Sequence, residues 1–113
     1  MLAEHSKCNS EYKNDKLYVS LSGEIDHHSA VSVREYVDRQ MMKYRPKALV
    51  LNLSGVSFMD SSGLGLVLGR CALGEEIGTH LCICGANARI MKILSMAGVD
   101  RIKNITIDKK GDR

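Results

Sequence analysis

Hydrophobic residues recur along the chain with two alternating spacings, one typical of strands and one typical of helices. Leu17, Val19 and Leu21 are separated by single polar residues, which is the period of a strand with one buried face. From Ser29 onward the spacing changes to three and four residues, typical of an amphipathic helix, over Ala30, Val33, Val37 and Met41. Because strand-like and helix-like segments alternate from end to end, the pattern predicts an α/β domain.

The predicted strands lie at residues 8–12, 17–21, 48–53, 81–84 and 105–107. About three to four helices are expected, and those between consecutive strands should form right-handed crossovers, giving a mixed and mostly parallel sheet. The run at 48–53 is almost continuously apolar, which predicts a central strand covered on both faces.

Turn and cap signals mark where these elements begin and end. Asn14-Asp15 is typical of a turn, and it predicts that the first two strands form an antiparallel hairpin. The three clearest helices are expected to run from a cap at Asp26 or Ser29 to before Pro46, from Ser61 or Ser62 to about Gly78, and from Asn87 to Gly98.

The composition indicates one compact domain covering residues 1–113. With 113 residues, of which 44% are hydrophobic, the chain can build one core and is too apolar for a disordered protein. No apolar run approaches the roughly 20 residues of a membrane-spanning helix. The first residues lack the basic and apolar regions of a signal peptide, so we expect a cytoplasmic protein without membrane partners.

Charge and cysteine content argue against two kinds of site. The 16 Lys and Arg exceed the 13 Asp and Glu by three and form no cluster, so nucleic-acid binding has little support. The four cysteines include no C-x-x-C pair, and we interpret them as reduced, small buried residues rather than metal ligands: Cys8, Cys71, Cys82 and Cys84.

The segment 58–65, FMDSSGLG, carries the most unusual chemistry because it joins a predicted central strand to the following helix. The unpaired amides and positive dipole of a helix start can accommodate a phosphate, so a hydroxyl on Ser61 or Ser62 would be well placed there. Asp60 can cap the helix or orient a hydroxyl. Gly63 and Gly65 are expected to let the backbone of another protein approach closely.

Three other interpretations of this segment remain open from the residues alone. The Asp-Ser-Ser sequence is also a common helix cap with no further role. A serine hydrolase would place its nucleophile at such a turn, but Asp60 stands where the first glycine of G-x-S-x-G belongs. A phosphate-binding loop for nucleotides would need G-K-[ST], which does not follow the glycines at 63, 65 and 69.

Two motifs in the correct order resemble those of a known family. The stretch at 58–65 with Leu68-Gly69-Arg70 after it, and SGEIDHH at 22–28, are similar to the signatures of the bacterial anti-sigma factor antagonists of the STAS-domain family. Leu51-Asn52-Leu53 extends the likeness, which covers essentially the whole chain. Serine at both 61 and 62 favours the sporulation branch of the family.

This resemblance implies a small α/β domain that binds an anti-sigma factor, itself a serine kinase, and so releases a sigma factor. The kinase would then phosphorylate Ser62, the acceptor by position in the motif, with Ser61 a lesser candidate, and a serine phosphatase would reverse the step. ATP and magnesium would belong to the kinase, so the chain itself is expected to need no cofactor and to catalyse nothing. The expected partner-binding residues are Glu24, Asp26, Asp60, Ser61, Gly63, Leu64, Gly65 and Arg70.

Two alternatives accompany this hypothesis. An STAS-like binding module of another signalling system, such as a stressosome component or a nucleotide sensor, would share the same motifs. His27-His28 beside Asp26 could suggest a metal site, but adjacent histidines point in different directions at a helix start and no third ligand has suitable spacing. We therefore interpret Glu24 and Asp26 as carboxylates available to a basic residue of a partner.

Overall fold

The computed structural model describes residues 8–108. In chain order the elements are β1 (Cys8–Lys13), β2 (Lys16–Ile25), α1 (His27–Tyr44), β3 (Ala48–Met59), α2 (Ser61–Ile77), β4 (His80–Cys84), α3 (Ala88–Met96) and β5 (Ile105–Asp108), with a short 3-10 helix at Val99–Arg101 before β5. The predicted order of strands and helices is confirmed.

The first two strands form the predicted antiparallel hairpin. Cys8 pairs with Leu21, and Tyr12 pairs with Leu17. Asn14 and Asp15 connect the strands with φ angles of 54° and 67°, the left-handed conformation that a two-residue hairpin turn of type I′ requires.

The sheet has the order β1-β2-β3-β4-β5, which is the order of the strands in the chain. Strands β2 to β5 are parallel to one another, and one helix lies between each consecutive pair. Because every crossover moves to the next position in the same direction and crossovers are right-handed, all three helices must cover the same face of the sheet. The described part of the chain is therefore a two-layer structure.

The core lies between the sheet and this single layer of helices. Alternate strand residues such as Val19, Leu51 and Ile83 are at most 1% exposed, and they pack in one cluster with Val37 of α1 and Leu94 of α3. The strand residues between them are less buried, as expected for the face that no helix covers: Tyr18, Val50 and Cys82.

The expectation that the central strand is covered on both faces was wrong. Leu49, Leu51 and Leu53 are buried, but Ala48, Val50 and the intervening Asn52 are only half-buried. A sheet wound in one direction has helices on one side, so a continuous apolar run here marks a central position in the sheet rather than a second helical layer.

Two strands are longer than the hydrophobic pattern indicated. Strand β2 continues through Glu24 to Ile25, and β3 continues to Met59. Glu24 pairs with Phe58 and Ile25 pairs with Met59, after register shifts at which Gly23 takes a φ of 80°. The segment from Glu24 to His28 is therefore the end of a strand, one capping residue and the start of a helix.

Within the described residues, none of the helices combines the length and the apolar character that crossing a membrane requires.

Candidate functional site

The start of α2 is fixed by Asp60, which ends the extended conformation of β3 and caps the helix. Its Oδ1 accepts hydrogen bonds from the backbone N–H of Ser62 at 2.8 Å and of Gly63 at 3.3 Å. The N–H of Leu64 donates to the Asp60 carbonyl oxygen at 3.0 Å. The predicted cap is confirmed, and it orders the backbone that carries both serines.

The two serines occupy the first two positions of α2 but have different surroundings. Ser61 is exposed, whereas Ser62 is half-buried and borders a groove between α1 and α2. Consecutive helical residues project about 100° apart. Ser62 therefore lines the groove between α1 and α2, whereas Ser61 does not.

The start of α1 has a similar construction at the neighbouring strand end. The Asp26 carboxylate accepts a hydrogen bond from the Ser29 N–H at 3.1 Å, while the Asp26 N–H donates to the Ser29 hydroxyl oxygen at 3.1 Å. These bonds form a capping box. The backbone hydrogen bond from Ser29 is the main reason that the pKa of Asp26 lies below its ordinary value.

The two helix starts are held together because β2 and β3 end side by side. Ile25 pairs with Met59, and the Asp60 N–H donates to the Ile25 carbonyl oxygen at 3.4 Å. Glu24, at the end of β2, is exposed, and Asp26 is half-buried. The structure thus brings the segment at 24–28 beside the serines, at the carboxyl ends of parallel strands where binding sites commonly form.

A groove of about 320 Å³ separates the first turns of α1 and α2. Its walls combine one hydroxyl, two basic side chains and small or apolar residues, and no carboxylate of the described chain lines it. The lining residues are His27, Ala30, Val31, Arg34, Ser62, Gly65 and Leu66.

Gly63 and Gly65 lie on opposite sides of α2. Gly65 is exposed and lines the groove. Gly63 is buried: an added Cβ would collide with the Met59 side chain and lie 3.1 Å from the Ile25 carbonyl oxygen. Glycine at 63 therefore lets α2 pack onto the strand ends. Its neighbours are Met59 and Ile25 of the same chain, so it is not positioned to contact a partner. Leu64 is half-buried.

Arg70 lies apart from the other predicted residues, two turns along α2. It is 6% exposed, and its Nε lies 3.0 Å from Asp38 Oδ1 of α1. Burial lowers the pKa of Arg70, and the Asp38 carboxylate opposes this effect. In this position the guanidinium connects the two helices, which differs from the expected contact with a partner because the surface there is already occupied by α1.

The sequence interpretation missed Val31, Arg34 and Phe58. Arg34 is exposed, as a residue on the polar side of α1 should be, and its spacing from His27 and Val31 puts all three on one helical stripe that lines the groove. Phe58 and Val31 keep 42% and 44% of their surfaces exposed, close to the serines. The signal in the sequence was a large apolar residue, Phe58, two residues before the polar helix start at Asp60.

Comparisons with known proteins agree with this architecture. The STAS domain family matches residues 8–110. The anti-sigma F factor antagonist of Paenibacillus polymyxa is 38% identical over 95 residues, which cover 84% of this chain and 81% of that protein.

Two solved structures share the fold across most of the chain. The anti-sigma factor antagonist SpoIIAA in its unphosphorylated form superposes with a TM-score of 0.66 at 25% identity, covering 83% of this chain and 96% of that one. The Bacillus cell fate determinant SpoIIAA in the phosphorylated form gives a TM-score of 0.66 at 26% identity, covering 89% of this chain and 90% of that one.

Proposed function

The chain belongs to the STAS-domain family, and from this premise we propose that it is an anti-sigma factor antagonist switched by phosphorylation of Ser62. In the unphosphorylated form it binds an anti-sigma factor that is a serine kinase and thereby releases a sigma factor. Phosphorylation ends the interaction, and a serine phosphatase restores it. The chain acts as a binding protein and a kinase substrate, with no catalytic step of its own.

The observation that carries this proposal is the placement of Ser62 on an ordered but accessible helix start. The Ser62 N–H donates a hydrogen bond to Asp60 Oδ1 at 2.8 Å, which fixes the backbone there. A kinase would therefore meet a hydroxyl on a rigid surface. Ser61 is more exposed but does not line the α1–α2 groove. We assign the acceptor role to Ser62 on this basis and on its place in the family motif.

The surface around Ser62 has the character of a protein-binding site. Val31 lines the groove with Ser62, and Phe58 lies near the end of the strand that leads into α2. Both are exposed apolar side chains, and exposed apolar surface often marks a protein-binding site. Glu24 is an exposed carboxylate at the same end of the sheet. We assign docking to these residues together with Asp26, Asp60, Ser61, Leu64 and Gly65.

Phosphorylation would act on the interface more than on the fold. It adds about 1.5 to 2 negative charges, which a helix N-terminus tolerates or favours by roughly 0.3 to 1 kcal/mol. At the interface the same dianion would have to lose water beside Asp60. A binding cost of about 3 kcal/mol would lower the affinity roughly a hundredfold.

A hydrolase is a weaker interpretation of the same serines. An activated serine donates its proton to a base that is oriented by a third group. Among residues 8–108 no hydrogen bond joins Ser62 to His27, although both line the groove, and the Asp26 carboxylate is engaged in the cap of α1. This arrangement supports the substrate role over the catalytic one.

The decisive experiment uses the full chain, the cognate anti-sigma kinase and ATP. We expect one phosphate on the wild-type protein, none on Ser62→Ala, and normal labelling of the matched control Ser61→Ala. Ser62→Ala should keep its affinity for the kinase, while Ser62→Asp should bind more weakly because it mimics part of the added charge.

Mass spectrometry and a binding titration read out the two halves of the proposal separately. Continued labelling of Ser62→Ala with phosphate mapped to another residue would refute the acceptor. Equal affinity of the phosphorylated and unphosphorylated forms would refute the switch. Failure of any anti-sigma kinase to bind would favour an STAS module of another signalling system.

A further inference from the structure

The groove between α1 and α2 contains more than the acceptor serine. Arg34 and His27 of α1 line it from one side and Ser62 of α2 from the other. No carboxylate of the described residues lines this groove, so the groove offers positive charge and an apolar floor to whatever enters from Ser62.

The helix pair also leaves Arg34 without a carboxylate. Asp38 lies one turn further along α1, the usual position for an ion-pair partner, but its Oδ1 faces Arg70 at 3.0 Å. Among residues 8–108, no carboxylate forms an ion pair with Arg34 within 4.0 Å. Arg34 also lies near enough to Arg70 to contribute to the lowered pKa of Arg70. Two guanidinium groups are therefore accompanied by one carboxylate, which pairs with Arg70 and leaves Arg34 without an ion pair.

From this geometry we propose that the phosphate of phosphorylated Ser62 turns into the α1–α2 groove and pairs with the guanidinium of Arg34. The inference rests on the proposed function in taking Ser62 as the modified residue. The added dianion would supply the missing negative charge between the two helices. Arg34 is thus a positioning residue that holds the phosphate against its own chain, and His27 borders the same pocket.

Guanidinium suits this role because its planar set of donors can form two parallel hydrogen bonds to phosphate oxygens. Ser61 differs in the feature that matters, since it does not line the groove. A phosphate on Ser61 should remain in solvent and be insensitive to Arg34. The two adjacent serines therefore provide an internal comparison with nearly the same sequence context.

The test places phosphoserine at position 62, or at position 61, during translation with an expanded genetic code, so no kinase is needed. Phosphorus NMR then follows the second pKa of each phosphate, which is about 6 for a solvated phosphoserine. We expect the phosphate at 62 to titrate at lower pH than the phosphate at 61. Arg34→Gln should raise the pKa at position 62 by about 0.5 to 1, because a nearby cation favours the dianion.

Two further variants separate a contact from general electrostatics. Arg39→Gln removes an exposed arginine of the same helix that does not line the groove, and it should leave both phosphates unchanged. Arg34→Lys should retain part of the effect. An unchanged pKa at position 62 in Arg34→Gln, or an equal response to Arg39→Gln, would overturn the proposal.

The proposal stays testable even where a variant folds poorly, because equal pKa values for the phosphates at positions 61 and 62 in the otherwise wild-type chain would refute it. Its outcome is also separate from that of the proposed function. A kinase that labels another residue would refute the switch at Ser62 and leave the phosphorus NMR measurement unaffected. A phosphate at position 62 that does not respond to Arg34 would refute the contact and leave the switch unaffected.

Discussion

At the scale of single residues, Gly63 shows how closely α2 approaches the strand ends. In Gly63→Ala the new methyl group would meet the Met59 side chain and the Ile25 carbonyl oxygen. We expect a loss of about 1 to 2 kcal/mol in the free energy of unfolding, because the destabilisation by overpacking exceeds the stabilisation by the higher helix propensity of alanine. Urea denaturation measures the change.

Gly69 is the matched control on the same helix. An added Cβ there has no neighbour within 4 Å, so Gly69→Ala should stabilise the protein by about 0.4 to 1 kcal/mol through the unfolded state and helix propensity. Similar gains for both variants would show that Gly63 is not constrained by packing.

Asp26 gives a pH-dependent prediction. Its pKa is lowered in the folded protein relative to an ordinary value of 3.8, so its stabilising effect is present above that pH and is lost as the pH falls through the lower, folded value. Asp26→Asn keeps a capping side chain but removes the charge. We expect the variant to be less stable than wild type at pH 6 and to approach it at pH 3.

Urea denaturation at several pH values checks the Asp26 effect. Glu35→Gln, which neutralises an exposed carboxylate in the middle of the same helix, is the control and should show a smaller pH-dependent difference. A stability difference between Asp26→Asn and wild type that stays constant from pH 6 to pH 3 would contradict the role of the cap.

Residue-scale chemistry was predictable where it is local in sequence. The Asp60 cap followed from an aspartate placed just before a hydrophobic helix. Arg34 was missed because its neighbourhood depends on how two helices pack, which no spacing within one helix reveals. Arg70 was misjudged for the same reason, as its carboxylate comes from Asp38, 32 residues earlier in the chain.

At the scale of elements, the ion pair between Arg70 and Asp38 couples α1 to α2. Asp38→Asn would leave the guanidinium buried without its counter-charge, and we expect a loss of about 2 kcal/mol. This is below the roughly 3 to 5 kcal/mol of a fully buried pair because the Asp38 side chain is 35% exposed.

Replacing the arginine should be less damaging than removing its partner. Arg70→Met fills the same space with an apolar chain, and buried pairs exchanged for apolar residues are often neutral. In the double variant, Asp38→Asn should then cost little. Thermal unfolding of the four proteins measures the coupling, and additive losses would show that the pair does not link the helices.

The hydrophobic pattern underestimated the lengths of β2 and β3. Their second halves, 22–25 and 54–59, are rich in polar and small residues and carry no clear alternation. The two segments are strands because they pair with each other past a register shift. The backbone N–H and C=O groups of each segment are satisfied by hydrogen bonds to the other segment, which require no hydrophobic pattern. The sequence of either segment alone therefore does not predict a strand.

At the scale of the whole molecule, the predicted α/β class and the antiparallel hairpin are both confirmed, because each follows from short-range alternation and turn chemistry. The layer count was not predictable in the same way. A continuous apolar run fits any central strand, and only the complete strand order shows that helices cover one face. The family likeness and the fold agree on this architecture.

The coincidence of strand order with chain order has a consequence for synthesis on the ribosome. Each strand that emerges after the hairpin finds its neighbour already exposed as an edge, and no earlier gap must be kept open for a later segment. Such a chain can add one strand at a time to the sheet. Each unpaired edge is then exposed only briefly to other nascent polypeptides. Ser62 would emerge after β1, β2 and β3, so both strands whose ends carry its site are made before the serine itself.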